Sequence, residues 1–221
     1  MKKLARRLIL DLKGRVDTIT VPQGEYESLQ HRPGMLDYIN PRVMIMSTLV
    51  YFVPIIDKMA KASGIERKDV TIFDAGARDG WTVHLFNELG FKASGAELVS
   101  DLAKHAKSLG RDVVKGDIHD LKDKDASYDV VFCRHTLEHT MDPRKAMSEL
   151  IRICKPGGLV FVTLPIERAA HGKHTTAVPN LRLLRGLADG QPVEAVELRR
   201  SASTGLIIPD GDEGLMILRK T

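Results

Sequence analysis

Three acids stand where apolar runs end: Asp74 closes VTIFD, Glu97 falls near the end of FKASGAEL, and Asp117 ends RDVVKGD. A carboxylate accepts hydrogen bonds only, and it can take both hydroxyls of a ribose or an amino group. Three of them at comparable positions suit a ligand with an ammonium group, a ribose diol and an amine-bearing base. Between Asp74 and the next helical run lies the turn AGARDG, with glycines at 76 and 80. Glycine lets backbone approach a ligand closely, and the helix N-terminus that follows can hold a carboxylate. Phosphates fit poorly. Gly76, Arg78 and Trp81 occupy the three positions of the dinucleotide pattern G-x-G-x-x-G, and no G-x-x-x-x-G-K-[ST] occurs in the chain. A dinucleotide reductase is therefore disfavoured.

A second set of reactive groups lies downstream, in HTLEHT (135–140) and ERAAHGKHTTAVPN (167–180). His139 is the candidate general base or substrate contact, with His135, His171 and His174 secondary; each could equally be a capping or hydrogen-bonding residue. HTLEH also fits the zinc pattern H-x-x-E-H, but that pattern needs both histidines on one helix. Here the segment follows a strand and precedes a helix capped at Asp142, so no metal site is assigned. Whether a divalent ion binds near His135, Glu138 and His139 stays open.

The elements that must position these groups alternate. VTIFD (70–74) reads as a strand, and WTVHLFNEL (81–89) as a helix stopped by Gly90. FKASGAEL (91–98) is a second strand, and Ser100 is expected to cap a helix over SDLAKHAKSL that Gly110 ends. RDVVKGD (111–117) and SYDVVFCRH (127–135) supply two more strands. MDPRKAMSELIRIC (141–154) starts a helix at Asp142 with Pro143 in its first position, and KPGG (155–158) is expected to turn into a fifth strand, LVFVTLP. VEAVELRRS (193–201) and GLMILRKT (214–221) have no helix pattern between them, so the last pair should be antiparallel. The expected fold is α/β: a Rossmann-like, seven-stranded, mostly parallel sheet with an antiparallel last strand, helices on both faces and an N-terminal helical cap. Residues 1–69 form the cap and substrate-side segment, and residues 70–221 the ligand-binding domain.

Charge and composition narrow the function classes. The 33 basic residues exceed the 29 acidic ones only through Lys2, Lys3, Arg6 and Arg7, and no acid lies among the first seven residues. A broad basic face for nucleic acid is thus disfavoured. Leu4, Leu8 and Leu12 recur every four residues and predict a short amphipathic helix at the start. VMIMSTLVYFVPII (43–56) is too short to span a bilayer and reads as a buried helix. No secretory signal is legible and Cys133 and Cys154 form no C-x-x-C pair, which points to a cytoplasmic protein. Tyr26, Tyr38 and Tyr51 are available for substrate contacts; oligomeric state is not legible.

The ordered motifs resemble the class I S-adenosylmethionine-dependent methyltransferases, in their small-molecule, methyltransferase type 11-like branch. The D-x-G-x-x-x-G of DAGARDG, Glu97 after the second strand, GDI (116–118) and the block 127–165 all have counterparts there, and the likeness covers residues 70–221. The resemblance implies S-adenosyl-L-methionine as cofactor and S-adenosyl-L-homocysteine as product. Asp74, Gly76, Ala77 and Gly80 would shape the turn around the methionine part. Glu97 would bind the ribose, Leu98 would pack on the adenine, Asp117 would accept from its amino group and Ile118 would cover its face. Arg134, with His135 beside it, would lie near the sulfonium. Arg78 departs from the usual glycine, and either its guanidinium points away or it pairs with a carboxylate of ligand or substrate. The activity implied is methyl transfer to a small-molecule oxygen, nitrogen or carbon. The alternative is a non-catalytic S-adenosylmethionine-binding or scaffold protein.

Overall fold

Alternate residues of the central strands serve opposite faces of one sheet, as the two-residue period of a strand requires. The computed structural model describes residues 6–12, 15–21, 48–166, 174–202 and 212–221. Its main sheet has the order β5-β4-β3-β6-β7-β9-β8, built from β3 (Thr71–Ala75), β4 (Lys92–Glu97), β5 (Val113–Lys115), β6 (Tyr128–Arg134), β7 (Cys154–Pro165), β8 (Val193–Ala202) and β9 (Asp212–Lys220). The pairs from β5 to β7 are parallel, whereas β9 runs antiparallel to both β7 and β8. β9 inserts between its two sequence predecessors, so the final hairpin extends the sheet by two strands.

On one face Ile72, Val130, Phe132, Phe161 and Ile217 pack with Phe52, Ile56, Val83, Phe86 and Ala103. These come from α1 (Val53–Ala62) and the π-helical turn Thr48–Phe52 before it, α2 (Trp81–Glu88) and α3 (Ser100–Ser108). Phe132 and Phe161 stack with ring centroids 4.7 Å apart, and Phe52 meets both edge-on. On the other face Phe73, Val131, Cys133, Val160 and Met216 pack with Met147, Leu150 and Ile151 of α4 (Pro143–Ile153). Both thiols are free and buried. At the opposite edge from the strand-end acids, the Asp129 carboxylate accepts from Thr71 N (2.9 Å), Thr71 Oγ1 (2.6 Å) and Lys155 Nζ (2.9 Å). Burial opposes its charge, but these donors hold its carboxyl below the usual range.

Three expectations are corrected. The predicted N-terminal helix is instead a two-stranded antiparallel sheet, β1 (Arg6–Leu12) paired with β2 (Arg15–Val21), in register from Arg6↔Val21 to Leu12↔Arg15. The leucine spacing fitted a helix, yet the β-branched run Val16, Thr18, Ile19, Thr20, Val21 beside it offers a strand partner, and pairing decides. Helix before the main sheet, among the described residues, covers 48–62 and a 3₁₀ turn at Arg67–Asp69. Ser100 is the first helical residue and Val99 the cap, with no side-chain capping bond. KPGG is not a separate turn but part of β7, where the register with β6 advances from Tyr128↔Cys154 to Val130↔Leu159 as a bulge. A short helix that the sequence reading missed, α5 (Leu181–Gly186), starts at Asn180, whose side chain accepts from Leu183 N. Asp142 and Pro143 cap α4 as expected, with Lys145 N donating to the Asp142 carboxylate.

Candidate functional site

The carboxyl ends of β3, β4 and β6 open on the same edge of the sheet because all three run parallel. Asp74, one residue before the end of β3, is buried. Its burial pushes the carboxyl up to about 7, against the pull of the Arg134 guanidinium and a hydrogen bond from Thr82. The chain then turns through Gly76 (φ 80°), Arg78 (φ 53°) and Gly80 (φ 75°) into α2. A Cβ on Gly76 would lie 2.3 Å from Thr136 Oγ1, so that glycine lets the turn after β3 abut the turn after β6. Thr136 Oγ1 donates to the carbonyls of Ala75 (3.2 Å) and Arg134 (3.0 Å), which joins the two turns. Gly80 caps α2 with no side chain to bond the first helical N–H groups. They remain available to an anionic group.

Arg78 adopts the left-handed conformation that glycine would take without strain. Its backbone N–H donates to Glu97 Oε2 (2.9 Å), and its side chain is exposed. Glu97 Oε1 accepts from Val99 N (2.8 Å), so this buried carboxylate ties the turn after β3 to the turn after β4. Each carboxylate oxygen has a second lone pair left for a ligand. Leu98, 62% exposed, stands beside it, and Ile118 is buried. Asp117 is exposed; its carboxylate accepts from His119 N (2.9 Å) and meets His119 Nδ1 (2.7 Å), which holds its carboxyl below the ordinary range. Ala77 is buried, and Gly76 and Ala77 both donate backbone N–H to Ala96 O (2.9 Å each).

After β6 the chain carries a buried charge chain. Arg134 lies over the Phe52 ring (5.4 Å) and donates to Thr48 Oγ1 (3.4 Å); burial lowers its pKa, while Glu213 and Asp74 oppose that. His135 (φ 48°) places Nε2 2.6 Å from Glu213 Oε1 and Nδ1 3.3 Å from Glu138 Oε1. Burial works against its charge, but the hydrogen bonds to Glu138 and Glu213 prevail and raise it to about 9. His135 is thus a half-buried ring between two acids that favour its protonated form. His139, in the 3₁₀ turn Leu137–His139, is exposed, and its ring meets that of His174 at 4.9 Å between centroids. His171, Tyr26 and Tyr38 lie outside the described residues.

Sequence reasoning missed Glu213, Thr136 and Arg111. The buried Arg111 donates to Asp79 O (2.7 Å) and covers the Trp81 ring (5.2 Å), bracing the glycine turn. No local pattern marks these three, since each acts on residues at least 30 positions away or across a turn.

Residues 73–162 match a family model described as a methyltransferase domain. Demethylmenaquinone methyltransferase of Clavibacter sepedonicus is 34% identical over 94 residues, 36% of this chain and 38% of the relative. Ubiquinone biosynthesis O-methyltransferase of Idiomarina loihiensis is 32% identical over 97 residues, 41% of this chain and 40% of the relative. The matched region thus spans less than half the length of these curated relatives. Magnesium protoporphyrin IX methyltransferase from Synechocystis, solved with bound S-adenosylhomocysteine, shares the fold with a TM-score of 0.59 at 11% identity, over 77% of this chain and 82% of that one.

Proposed function

We propose, from the premise that residues 73–162 match a methyltransferase domain, that this chain is a class I methyltransferase that transfers a methyl group from S-adenosylmethionine to a small-molecule acceptor. The observation that carries the reading is one juxtaposition. Asp74, Glu97 and the uncapped N-terminus of α2 converge where parallel strands end, offering acids to a cation and a diol, and N–H groups to a carboxylate. The donor set fits the cofactor. The first N–H groups of α2 would hold its carboxylate, Asp74 would face its positive charge, Glu97 its ribose, Leu98 and Ile118 its adenine, and Asp117 the adenine amino group. Arg78 would act through its backbone, with its guanidinium directed away. The relatives named above, a demethylmenaquinone methyltransferase and a ubiquinone biosynthesis O-methyltransferase, support a small-molecule acceptor, and no described helix is long and apolar enough to cross a membrane.

When bound, the cofactor supplies a methyl group on a sulfonium, so no enzyme nucleophile is needed. The chain's work is alignment, which contributes on the order of 7–11 kcal/mol for well-oriented reactants. The Gly76–Thr136 junction fixes the two turns between which the reactants would meet, and Arg134 beneath it is held by Thr48 and Phe52. A base is required only if the acceptor loses a proton, and His139 at the exposed rim is the group available for that.

Calorimetry with S-adenosylmethionine and S-adenosylhomocysteine, followed by a tritiated-methyl assay on cell extract, tests the proposal. One molecule of each should bind per chain, and label should move to a low-mass product. Absence of binding would refute the cofactor assignment. Binding without transfer would instead favour the non-catalytic alternative.

A further inference from the structure

We infer, resting on the methyl-transfer reading, that Glu213 recognises the methyl acceptor and that the acceptor presents a hydroxyl group to it. Three buried polar residues lie on adjacent strands at the edge where the parallel strands end: Arg134 on β6, Thr163 on β7 and Glu213 on β9. Arg134 is the register partner of Thr163, and Thr163 of Leu215. Phe132, Phe161 and Leu215 pack on one face of the sheet. The two-residue period of a strand puts Arg134, Thr163 and Glu213 on that face too, one step nearer the edge. The apolar face thus ends in a polar row.

Two atoms of that row point to a ligand. Glu213 and Thr163 are each 1% exposed, and among the described residues neither Glu213 Oε2 nor Thr163 Oγ1 has a hydrogen-bond partner. Buried polar atoms in that state are rare and costly. The other oxygen of Glu213 is engaged: Oε1 lies 2.6 Å from His135 Nε2, and the backbone N–H of His135 donates to Thr163 O (2.9 Å). A carboxylate clasped at one oxygen is restricted in how it can turn the other.

The row adjoins the place assigned to the cofactor. Arg134 is attracted by both Asp74 and Glu213, and in the strand order β6 stands between β3, which carries Asp74, and β9. An acceptor bound over β6 and β7 would therefore have Asp74 on one side and Glu213 on the other. A carboxylate oxygen only accepts, so the group it takes must donate. Arg134 and His135 already set two basic side chains against Glu213, and a neutral hydroxyl suits it better than a further cation. Thr163 Oγ1 can donate to the oxygen of that hydroxyl or accept from a neighbouring one. A site built around such a bond rejects analogues that lack the group.

The test uses the full chain with tritiated S-adenosylmethionine and, as acceptor, the low-mass fraction of a cell extract. Glu213→Gln keeps the shape and an oxygen for His135, but puts a donor where Oε2 accepts. The amount of fraction giving half-maximal transfer should rise about 10–100-fold, the worth of a hydrogen bond to a charged group, and by a smaller factor in Thr163→Val. Glu194→Gln on the outer strand β8 should leave it unchanged. S-adenosylhomocysteine affinity should be unaltered in all three variants, and their melting curves report folding. Acetylating the dried fraction with acetic anhydride in pyridine, which masks hydroxyls and amines, should abolish transfer; reductive methylation with formaldehyde, which masks amines alone, should spare it. Unchanged half-maximal amounts in both Glu213→Gln and Thr163→Val overturn the acceptor assignment while wild-type transfer stands. Loss of transfer on reductive methylation overturns the hydroxyl class. Wild type that binds S-adenosylhomocysteine but moves no label defeats the methyl-transfer reading, and the acceptor assignment falls with it.

Discussion

Asp74 offers a proton-linkage test of the cofactor assignment. Its carboxyl is pushed by burial from the ordinary 3.8 to about 7. The native state therefore holds a proton that the unfolded chain has lost between these values, and stability falls by roughly 1.4 kcal/mol per pH unit from about pH 4 to 7. The accumulated cost is roughly 4 kcal/mol, fully absent below the unfolded value and complete above the native one. A ligand cation about 4–5 Å away at an effective dielectric of about 20 returns roughly 3–4 kcal/mol to the ionised form. Binding should therefore expel the proton. In calorimetry with buffers of different ionisation enthalpy, about 0.9 proton should be released at pH 6 and about 0.25 at pH 7.5, with affinity falling up to tenfold per unit below pH 7. Asp74→Asn should bind more weakly at pH 7.5 and lose this pH dependence. Equal affinity of variant and wild type at both pH values, with no proton released at pH 6, would show that Asp74 does not face the ligand.

Three other changes probe the frame around the site. Gly76→Ala forces a Cβ to 2.3 Å from Thr136 Oγ1 at a φ of 80°; strain and overpacking together should cost about 2–4 kcal/mol in urea unfolding, with cofactor affinity lost as well. An unchanged midpoint would mean that the turns do not abut. Arg78→Gly relieves a left-handed φ of 53°, so stability should rise by up to about 1 kcal/mol after the entropy of the added glycine, with cofactor affinity unchanged. A large loss of affinity would instead assign the guanidinium to the ligand. Asp129→Asn should cost about 2–3 kcal/mol at pH 7 and less at pH 2, because a carboxyl held below its ordinary range contributes stability that is lost as the pH falls through its folded-state value. Equal losses at both pH values would exclude the ionised clasp.

Local order was legible in the residues because local physics sets it. Apolar runs ended by acids, glycines after helices and the Asp142–Pro143 start of α4 specify their elements within a few positions, and alternation of strand and helix implies a parallel sheet. Even a rare feature, positive φ at a glycine turn, could be anticipated at Gly76 and Gly80. Where a segment's partner lies elsewhere, the local pattern fails, as the leucine period did at β1, which pairs with β2 as a strand. Tertiary structure alone decided the rest. It inserted β9 between β7 and β8, brought Glu213 against His135 across 78 positions, and fastened Thr175 and Thr176 to the turn that bears Glu138. The physical reason is that a buried charge or an open carbonyl takes the partner that the folded chain places beside it, and sequence spacing holds no record of that neighbour.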